Sequence, residues 1–213
     1  MNVHALYRRL SPLFRRRRMR WLLSSLQPDP GAAILDVGGT PSFWSEAPIR
    51  NPITLLNPDF AAAPPAVETR FTCLTGDGCA LPFTDRAFAT VVSNSVIEHL
   101  GSAERQRQFA CEVRRVGGRL WIQTPAREFP IEPHYLAPGI HWLPARWQRR
   151  LIRNFTLRGW LDRPGPAEVE AMVAETRLLG RREFAALFPD CEILVERFLG
   201  LPKSYIARRI QPQ

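Results

Sequence analysis

The sequence has 213 residues, 45% of them hydrophobic, and a formal net charge of +9 at pH 7. This length fits one α/β domain with a small appendage, and no apolar run approaches the roughly 20 residues that a membrane-spanning helix needs. The positive charge would attract phosphate, anionic lipid or an acidic substrate, although the arginine bias of a GC-rich bacterial genome would give the same balance without such a partner.

The first 30 residues predict a helical segment. Leucine and aromatic residues recur at helical spacing, Pro12 divides the helix in two, and the stretch QPDPG ends it. Within it, Arg15–Arg18 predict either a solvated face of a helix that covers the domain or a basic face in weak contact with a membrane surface or an anionic substrate. We favour the solvated face.

The cysteines and the N-terminal residues indicate the cellular compartment in which the protein is expected. The four cysteines form no CxxC pair, and no Cys/His cluster has the spacing of zinc ligands, so the sequence predicts no metal site. The basic N-terminus lacks the apolar core and small-residue cleavage site of a signal peptide. Reduced thiols in a cytoplasmic protein are the simplest expectation.

Beyond residue 31 the pattern changes to short apolar strands separated by helices or loops. Five strands are predicted in the stretches AAILDVG, NPITLLN, TRFTCLTGD, FATVVSNS and GGRLWIQTP. A helix in SAERQRQFACEVRRVG, capped by Ser102, precedes the fifth strand. Strands spaced by helices imply right-handed crossovers and a parallel sheet that is covered on both faces.

After Pro125 the sequence becomes rich in proline and aromatic residues and is hard to place in regular structure. Two helices follow, in PAEVEAMVAETRLL and RREFAALF, and then two strands, CEILVERFLG and KSYIARRI, which a short Gly/Pro loop would pair antiparallel. We therefore predict a helical segment over 1–30 and one domain over 31–213, with an insert on the substrate side at about 126–180. The domain is α/β, with a mostly parallel seven-stranded sheet, helices on both faces and a C-terminal antiparallel strand pair.

Short polar or glycine residues follow each of the first four predicted strands. The strands end in DVGGT, NPD, TGDGC and SNS, at intervals of roughly 20 residues. In open α/β sheets a ligand binds outside the carboxyl ends of the strands, near the point where the strand order reverses. These four strand ends therefore predict a single binding site.

This arrangement resembles the class I S-adenosylmethionine-dependent methyltransferases, and among them the small enzymes that methylate metabolites. The similarity rests on ILDVGGT, TGDGCALPFTDRAFATVVSNSVIEHL and GGRLWIQTP, and it covers about 30–125 well and 180–210 loosely. It implies a Rossmann-like fold, S-adenosylmethionine as cofactor, and methyl transfer to an oxygen, nitrogen or carbon atom of a small-molecule acceptor.

The resemblance also implies cofactor-binding residues. Gly38 and Gly39 would let the backbone approach the methionine part of the cofactor, and Asp36 would orient that turn or bind the amino group. Asn57 stands where the family usually has an acidic residue on the ribose, and Asp77 would accept from the adenine amino group. The full set comprises Asp36, Gly38, Gly39, Thr40, Asn57, Asp77, Gly78, Cys79, Asn94 and Ser95.

The glycine turn departs from the common family pattern. Thr40 and Ser42 replace the second and third of three spaced glycines. This loss, together with Asn57, fits a dinucleotide site poorly, whereas S-adenosylmethionine has no phosphates to cradle. The same substitutions leave open a non-catalytic cofactor-binding protein of this fold.

A general base would help wherever the acceptor must lose a proton. His99 follows the fourth strand in IEHL, and Glu132 and His134 follow the fifth in IEPHY, where substrate loops usually project. His141 is a further candidate. We predict His134, His99 and Glu132 as the catalytic residues, because the pKa of histidine lies near neutrality.

An RNA methyltransferase is the alternative that the positive charge favours. Against it, the sequence has no appended RNA-binding module, and SNSV follows the fourth strand in place of the DPPY-like tetrapeptide of base methyltransferases. The sequence therefore favours a small molecule over a nucleic acid as the acceptor.

Overall fold

The computed structural model describes residues 17–45, 47–58, 60 and 68–210. Its strands are β1 (Ile34–Val37), β2 (Ile53–Asn57), β3 (Phe71–Thr75), β4 (Phe88–Asn94), β5 (Gly117–Pro125), β6 (Ile131–Glu132), β7 (Ala137–Pro138), β8 (Glu192–Phe198) and β9 (Leu201–Arg209). Its helices are α1 (residues 17–26), α2 (Pro41–Trp44), α3 (Ala103–Val116), α4 (Ala145–Phe155), α5 (Leu157–Asp162), α6 (Pro166–Glu175) and α7 (Arg181–Leu187).

Seven of these strands form one sheet in the order β3-β2-β1-β4-β5-β9-β8. The first five in this order run parallel, and β9 pairs antiparallel with both β5 and β8. The order reverses between β1 and β4, so their carboxyl ends border the crevice where ligands bind in such sheets. The predicted fold class, including the antiparallel pair at the C-terminal side, is confirmed.

Helices cover both faces of the sheet. Leu22 and Leu26 of α1 pack with Trp121 of β5 on one face. Phe109 of α3 and Phe184 of α7 belong to the cluster on the other face. Burial of these apolar side chains supplies the main drive for each layer.

The predicted basic segment is described only in part, since residues 1–16, with Pro12, lie outside the described ranges. Arg17 is exposed, whereas Arg18 donates to Gln123 at 3.1 Å and to Glu196 at 3.0 Å. Arg18 therefore ties α1 to the sheet instead of standing free on the surface. None of the described helices is long and apolar enough to cross a bilayer.

The crossovers contain less helix than the alternating pattern predicts. Of the described residues between β1 and β2, only the four of α2 are helical, and residues 76–87 connect β3 to β4 without a helix. Before α3, the Ser102 side chain accepts from the Arg105 backbone N–H at 3.2 Å, as the capping pattern predicts.

The segment after β5 leaves the sheet and returns to it at the same point. The Arg127 N–H donates to the Leu179 carbonyl at 3.1 Å, beside a bridge between Ala126 and Leu179. Between these points lie the hairpin β6–β7 and the helices α4, α5 and α6. This segment has its own small cluster of buried side chains, formed by Tyr135, Ala137, Ile140, Ile152 and Val169.

Candidate functional site

The turn after β1 requires its two glycines because of packing. Gly38 has a φ of +81°, and a Cβ there would lie 2.3 Å from Cγ2 of Val96. A Cβ on Gly39 would lie 2.0 Å from Oδ2 of Asp36. The glycine that the family pattern does not contain, Gly39, thus makes room for the aspartate that precedes the turn.

Asp36 lies beneath this turn in a dry environment. Its side chain is buried, and Oδ2 accepts a hydrogen bond of 2.7 Å from Nε1 of the buried Trp44. Oδ1 has no hydrogen-bond partner among the described residues. Burial raises the pKa of Asp36 to about 7, although the Trp44 bond acts in the opposite direction. Asp36 therefore lies directly beneath the turn, held by Trp44.

Asn57 and Thr40 lie beside the same turn. The Asn57 amide is 3.5 Å from the Gly38 carbonyl, which links the end of β2 to the end of β1. Thr40 precedes α2, and its hydroxyl lies 3.0 Å from that of Ser42. The two residues that replace family glycines therefore contact each other at the entrance to α2.

The end of β3 presents a carboxylate that is already paired. Oδ1 of Asp77 accepts from the Cys79 backbone N–H at 2.9 Å, and both carboxylate oxygens lie 3.0 Å from Nη2 of Arg105. The Cys79 bond, followed by the Arg105 contacts, lowers the pKa of Asp77. Gly78 is needed here because a Cβ would lie 2.9 Å from the ring of Phe109.

The end of β4 carries an amide without partners. Both polar atoms of the Asn94 side chain are buried and make no hydrogen bond within the described ranges. Ser95 has a φ of +55°, and its hydroxyl and N–H bind the side chain and carbonyl of Gln123 on β5. The chain then continues through Val96, which packs on Gly38.

The three residues predicted as catalytic, His99, Glu132 and His134, lie close together beyond the end of β4. Glu98 lies beside them. The rings of His99 and His134 meet edge to face with centroids 4.6 Å apart. Nδ1 of His134 lies 2.6 Å from Oε1 of Glu132, whose Oε2 accepts from the Tyr135 N–H at 2.6 Å. Glu98 is fully buried, and its Oε2 accepts from the Thr124 hydroxyl at 3.0 Å.

Burial and neighbouring charges shift the pKa values of Glu98, His134 and His99. Burial raises the pKa of Glu98 to about 7. Burial alone would lower the pKa of His134, but its bond to Glu132 and the charges of Glu132 and Glu98 outweigh this, so the pKa rises. Partial burial, and then the charge of His134, lowers the pKa of His99. Its side chain keeps an exposed surface, which limits how far that pKa can fall.

His141, the remaining candidate base, lies outside this group. Its Nε2 is 2.9 Å from the Arg127 carbonyl, and burial lowers its pKa. It borders a cavity of about 300 Å³ that shares Glu132 with the His99–His134 pair. The cavity is lined by Arg127, Glu132, Tyr135, His141, Gln148, Thr176, Arg177, Leu178 and Glu183.

Three contributors to the site were not assigned from the sequence. Glu98 was given no role in the site from the sequence, although its position directly before His99 was a usable signal. Trp44 was given no role either, and the structure shows Nε1 of Trp44 hydrogen-bonded to Asp36. Nothing in the sequence pointed to the pairing of Arg105 with Asp77, because it depends on how α3 lies over the end of β3.

Comparisons with known proteins agree with this fold. Residues 50–122, about a third of the chain, match a family model described as a methyltransferase domain. No curated protein matches the sequence. An S-adenosylmethionine-dependent methyltransferase from Methanosarcina mazei superimposes with a TM-score of 0.51 at 14% identity, covering 89% of this chain and 97% of that one.

Two further solved structures share the fold. One is a chain of the complex between the Haloferax volcanii Trm112 methyltransferase activator and a protein described as a methyltransferase, with a TM-score of 0.54, 12% identity, and coverage of 91% and 88%. The other is the [4+2]-cyclase SpnF, with a TM-score of 0.52, 16% identity, and coverage of 84% of this chain and 57% of that one. The chain therefore has the fold of the class I S-adenosylmethionine-dependent methyltransferases, and its match to the methyltransferase-domain family covers β2, β3 and β4 but not β1 and its glycine turn.

Proposed function

We propose that this protein transfers the methyl group of S-adenosylmethionine to an oxygen, nitrogen or carbon atom of a small-molecule acceptor. One observation carries the proposal: two sets of functional side chains are adjacent. Asn57 and Val96 contact the turn at Gly38, and Val96 leads within three residues to His99. The donor and the proton-accepting groups would then share one crevice.

The strand ends fit the cofactor. The amide of Asn94 offers two donors and an acceptor that lack protein partners in the described chain, so a polar ligand would satisfy them. Gly38 and Gly39 leave the backbone bare, which permits a close approach. When bound, the cofactor supplies an activated methyl group; the protein must hold an acceptor in line with it and exclude water.

The segment at about 126–180 is the part that would select the acceptor. It begins and ends at the carboxyl end of β5, and it contains the cavity of about 300 Å³ beside Glu132. Pockets for small molecules start at about this size. We propose that residues 126–180 form the substrate-side insert of a domain spanning 31–213, after the helical segment over 1–30.

His134, held by Glu132, and the adjacent His99 are proposed to position the acceptor and remove its proton. We expect His134→Gln to lower kcat by roughly 10²–10⁴-fold, the usual contribution of a positioned acid or base. The Kd for S-adenosylhomocysteine, measured by calorimetry, should stay within about threefold of the parent value. Cys111→Ser, at an exposed thiol of α3, serves as the matched control. A kcat unchanged in His134→Gln would contradict this role.

Asp77 is proposed to bind the adenine amino group while it remains bonded to Arg105. A hydrogen bond to a charged group contributes about 1.5–3 kcal/mol, so Asp77→Asn should weaken S-adenosylhomocysteine binding roughly 10- to 100-fold. Arg105→Gln should change affinity by less than about fivefold, because the Cys79 N–H still holds the carboxylate. Calorimetry measures both, and equal losses in the two variants would show that the ion pair, not the carboxylate, binds the ligand.

The proposal as a whole is tested by binding and then by turnover. Purified protein should bind S-adenosylhomocysteine by calorimetry, and no binding at millimolar concentration would refute it. Methyl-labelled S-adenosylmethionine is then offered with a panel of phenols, alcohols, amines and carbon acids. Label in one acceptor class is the expected result, whereas binding without turnover across the panel would indicate a non-catalytic protein of this fold.

RNA is a second candidate acceptor because of the surface of α4. Four arginines and a tryptophan on this helix are exposed, namely Arg146, Arg149, Arg150, Arg153 and Trp147. The Arg150 guanidinium lies 5.5 Å from the centroid of the Trp147 ring, and such surfaces combine phosphate contact with stacking. The labelled assay therefore includes bulk RNA. Label in RNA, with binding that weakens steeply as salt increases, would replace the small-molecule proposal.

A further inference from the structure

Glu98, His99 and His134 form a compact set of ligand-type side chains. One ligand atom from each lies within 4.8 Å of those of the other two. We propose that these three residues bind a divalent transition-metal cation at the acceptor side of the crevice. The sequence did not indicate this site, because its residues come from two distant segments and have no zinc-ligand spacing.

The second histidine is held as metal ligands usually are. Nδ1 of His134 is bonded to Oε1 of Glu132, and a backbone N–H fixes the other oxygen of that carboxylate. Nε2 is then the nitrogen that remains for a cation. A carboxylate behind a ligating histidine fixes the orientation of the ring and increases its basicity. Glu132 would thus act as a positioning residue for the metal.

The carboxylate of Glu98 supplies an independent observation. Glu98 is fully buried and Thr124 holds its Oε2. Apart from weaker contacts of the carboxylate with the Ser95 side chain and its own backbone N–H, Oε1 makes no hydrogen bond in the part of the chain that the structure describes. A buried carboxylate oxygen that lacks a full hydrogen bond is costly. A cation between Glu98 and the two histidines would remove this cost.

The donor set favours one class of metal. Two imidazole nitrogens and one carboxylate oxygen suit zinc, iron, cobalt or nickel better than magnesium or calcium, which prefer oxygen ligands. Bond lengths of about 2 Å place the donor atoms of a tetrahedral site roughly 3.3 Å apart, so the set must contract slightly. His99 is exposed and can move, and its open side leaves a position for a further ligand.

If the proposed function holds, the open coordination position indicates which class of acceptor is methylated. A cation beside the methyl donor would bind the oxygen of an acceptor hydroxyl and lower its pKa. Because both histidines are then ligands, they hold the cation instead of accepting the proton. The O–H proton leaves to solvent, and the oxygen attacks the methyl carbon. The S–CH₃ bond breaks with its electron pair remaining on sulfur. The site therefore points to methylation of an alcohol or phenol rather than a carbon acid.

The experiment titrates metal-free full-length protein with Co²⁺ and Zn²⁺, by visible absorption and calorimetry. All proteins carry Cys111→Ser, so that the exposed thiol does not compete. We expect one site, lost in His134→Gln and in His99→Gln and weakened roughly 10- to 100-fold in Glu132→Gln. His141→Gln, a histidine outside the cluster, is the control and should retain the site. Circular dichroism verifies that each variant is folded.

The outcomes separate the metal from the methyl transfer. Equal Co²⁺ binding in the parent, His99→Gln and His134→Gln, or no site below about 100 µM, would overturn the metal proposal. S-adenosylhomocysteine binding is measured separately in the presence of EDTA. Loss of that binding would overturn the proposed function while leaving the metal site in place. Binding of S-adenosylhomocysteine by a protein without the Co²⁺ site would overturn the metal proposal and leave the proposed methyl transfer intact.

Discussion

Gly38→Ala should cost about 2–5 kcal/mol of unfolding free energy and weaken S-adenosylhomocysteine binding at least about tenfold. The residue has a φ of +81°, which disfavours any side chain, and the added Cβ would lie 2.3 Å from Cγ2 of Val96. To relieve this clash, either the turn after β1 or the chain after β4 must move. Either movement displaces backbone groups at the centre of the crevice. Urea unfolding and calorimetry measure the two effects.

Gly31→Ala is the matched control for this substitution. Gly31 has a nearly identical φ of +77°, and a Cβ there would meet no described atom within 4 Å. Gly31→Ala should therefore lower the unfolding free energy by only about 1–2 kcal/mol, the cost of a left-handed backbone at a residue with a side chain. Its affinity for S-adenosylhomocysteine should not change. Equal effects in the two variants would mean that backbone strain, and not contact with Val96, determines the role of Gly38.

Asp36 should make the unliganded protein less stable as pH rises from 5 to 8, and Asp36→Asn should remove this contribution. The folded protein raises the pKa of Asp36 from 3.8 to about 7 by burial. Between these values the unfolded chain releases the proton and the folded chain keeps it, so ionisation favours unfolding. Above pH 7 the full cost is present, and below about pH 4 it disappears. Linkage gives roughly 2–3 kcal/mol between pH 5 and pH 8.

Unfolding by urea at a series of pH values measures this difference, with EDTA present and without cofactor. The pKa values of Glu98 and His134 are also raised and add to this dependence, whereas the lowered pKa values of His99 and His141 oppose it. The comparison of the parent with Asp36→Asn isolates the aspartate. Identical pH dependence in the two proteins would show that Asp36 is solvated or paired in the folded state.

The sheet could be predicted from sequence because its strands are short apolar runs bounded by glycine, proline or polar residues. Ser102 likewise predicted the start of α3, because serine is a favoured N-cap residue. The helices α4 and α5 were missed because prolines flank them, and only Ile152 of α4 is fully buried. Their stability comes from packing within the insert, and local sequence does not record that packing.

The candidate site was predictable where one strand end carried its own signal. Gly38, Asp77 and Asn94 follow apolar runs directly, so the topology of a parallel sheet was enough to bring them together. The meeting of His99 with His134 depends on the path of the insert, which the sequence did not determine. The need for glycine at residue 39 was also not predictable, because it depends on the three-dimensional packing. A Cβ there would occupy the volume of the Asp36 carboxylate.

The position of β9 has a consequence for biosynthesis. Leu120–Pro125 of β5 pair with Ser204–Arg209, so the interior of the sheet is filled by residues made long after β5 itself. Until residue 209 has left the ribosome, the nascent chain carries an open β5 edge and an apolar groove where Ile206 later packs. Such edges attract other strands, and nascent molecules at this stage should depend on chaperones more than the finished protein does.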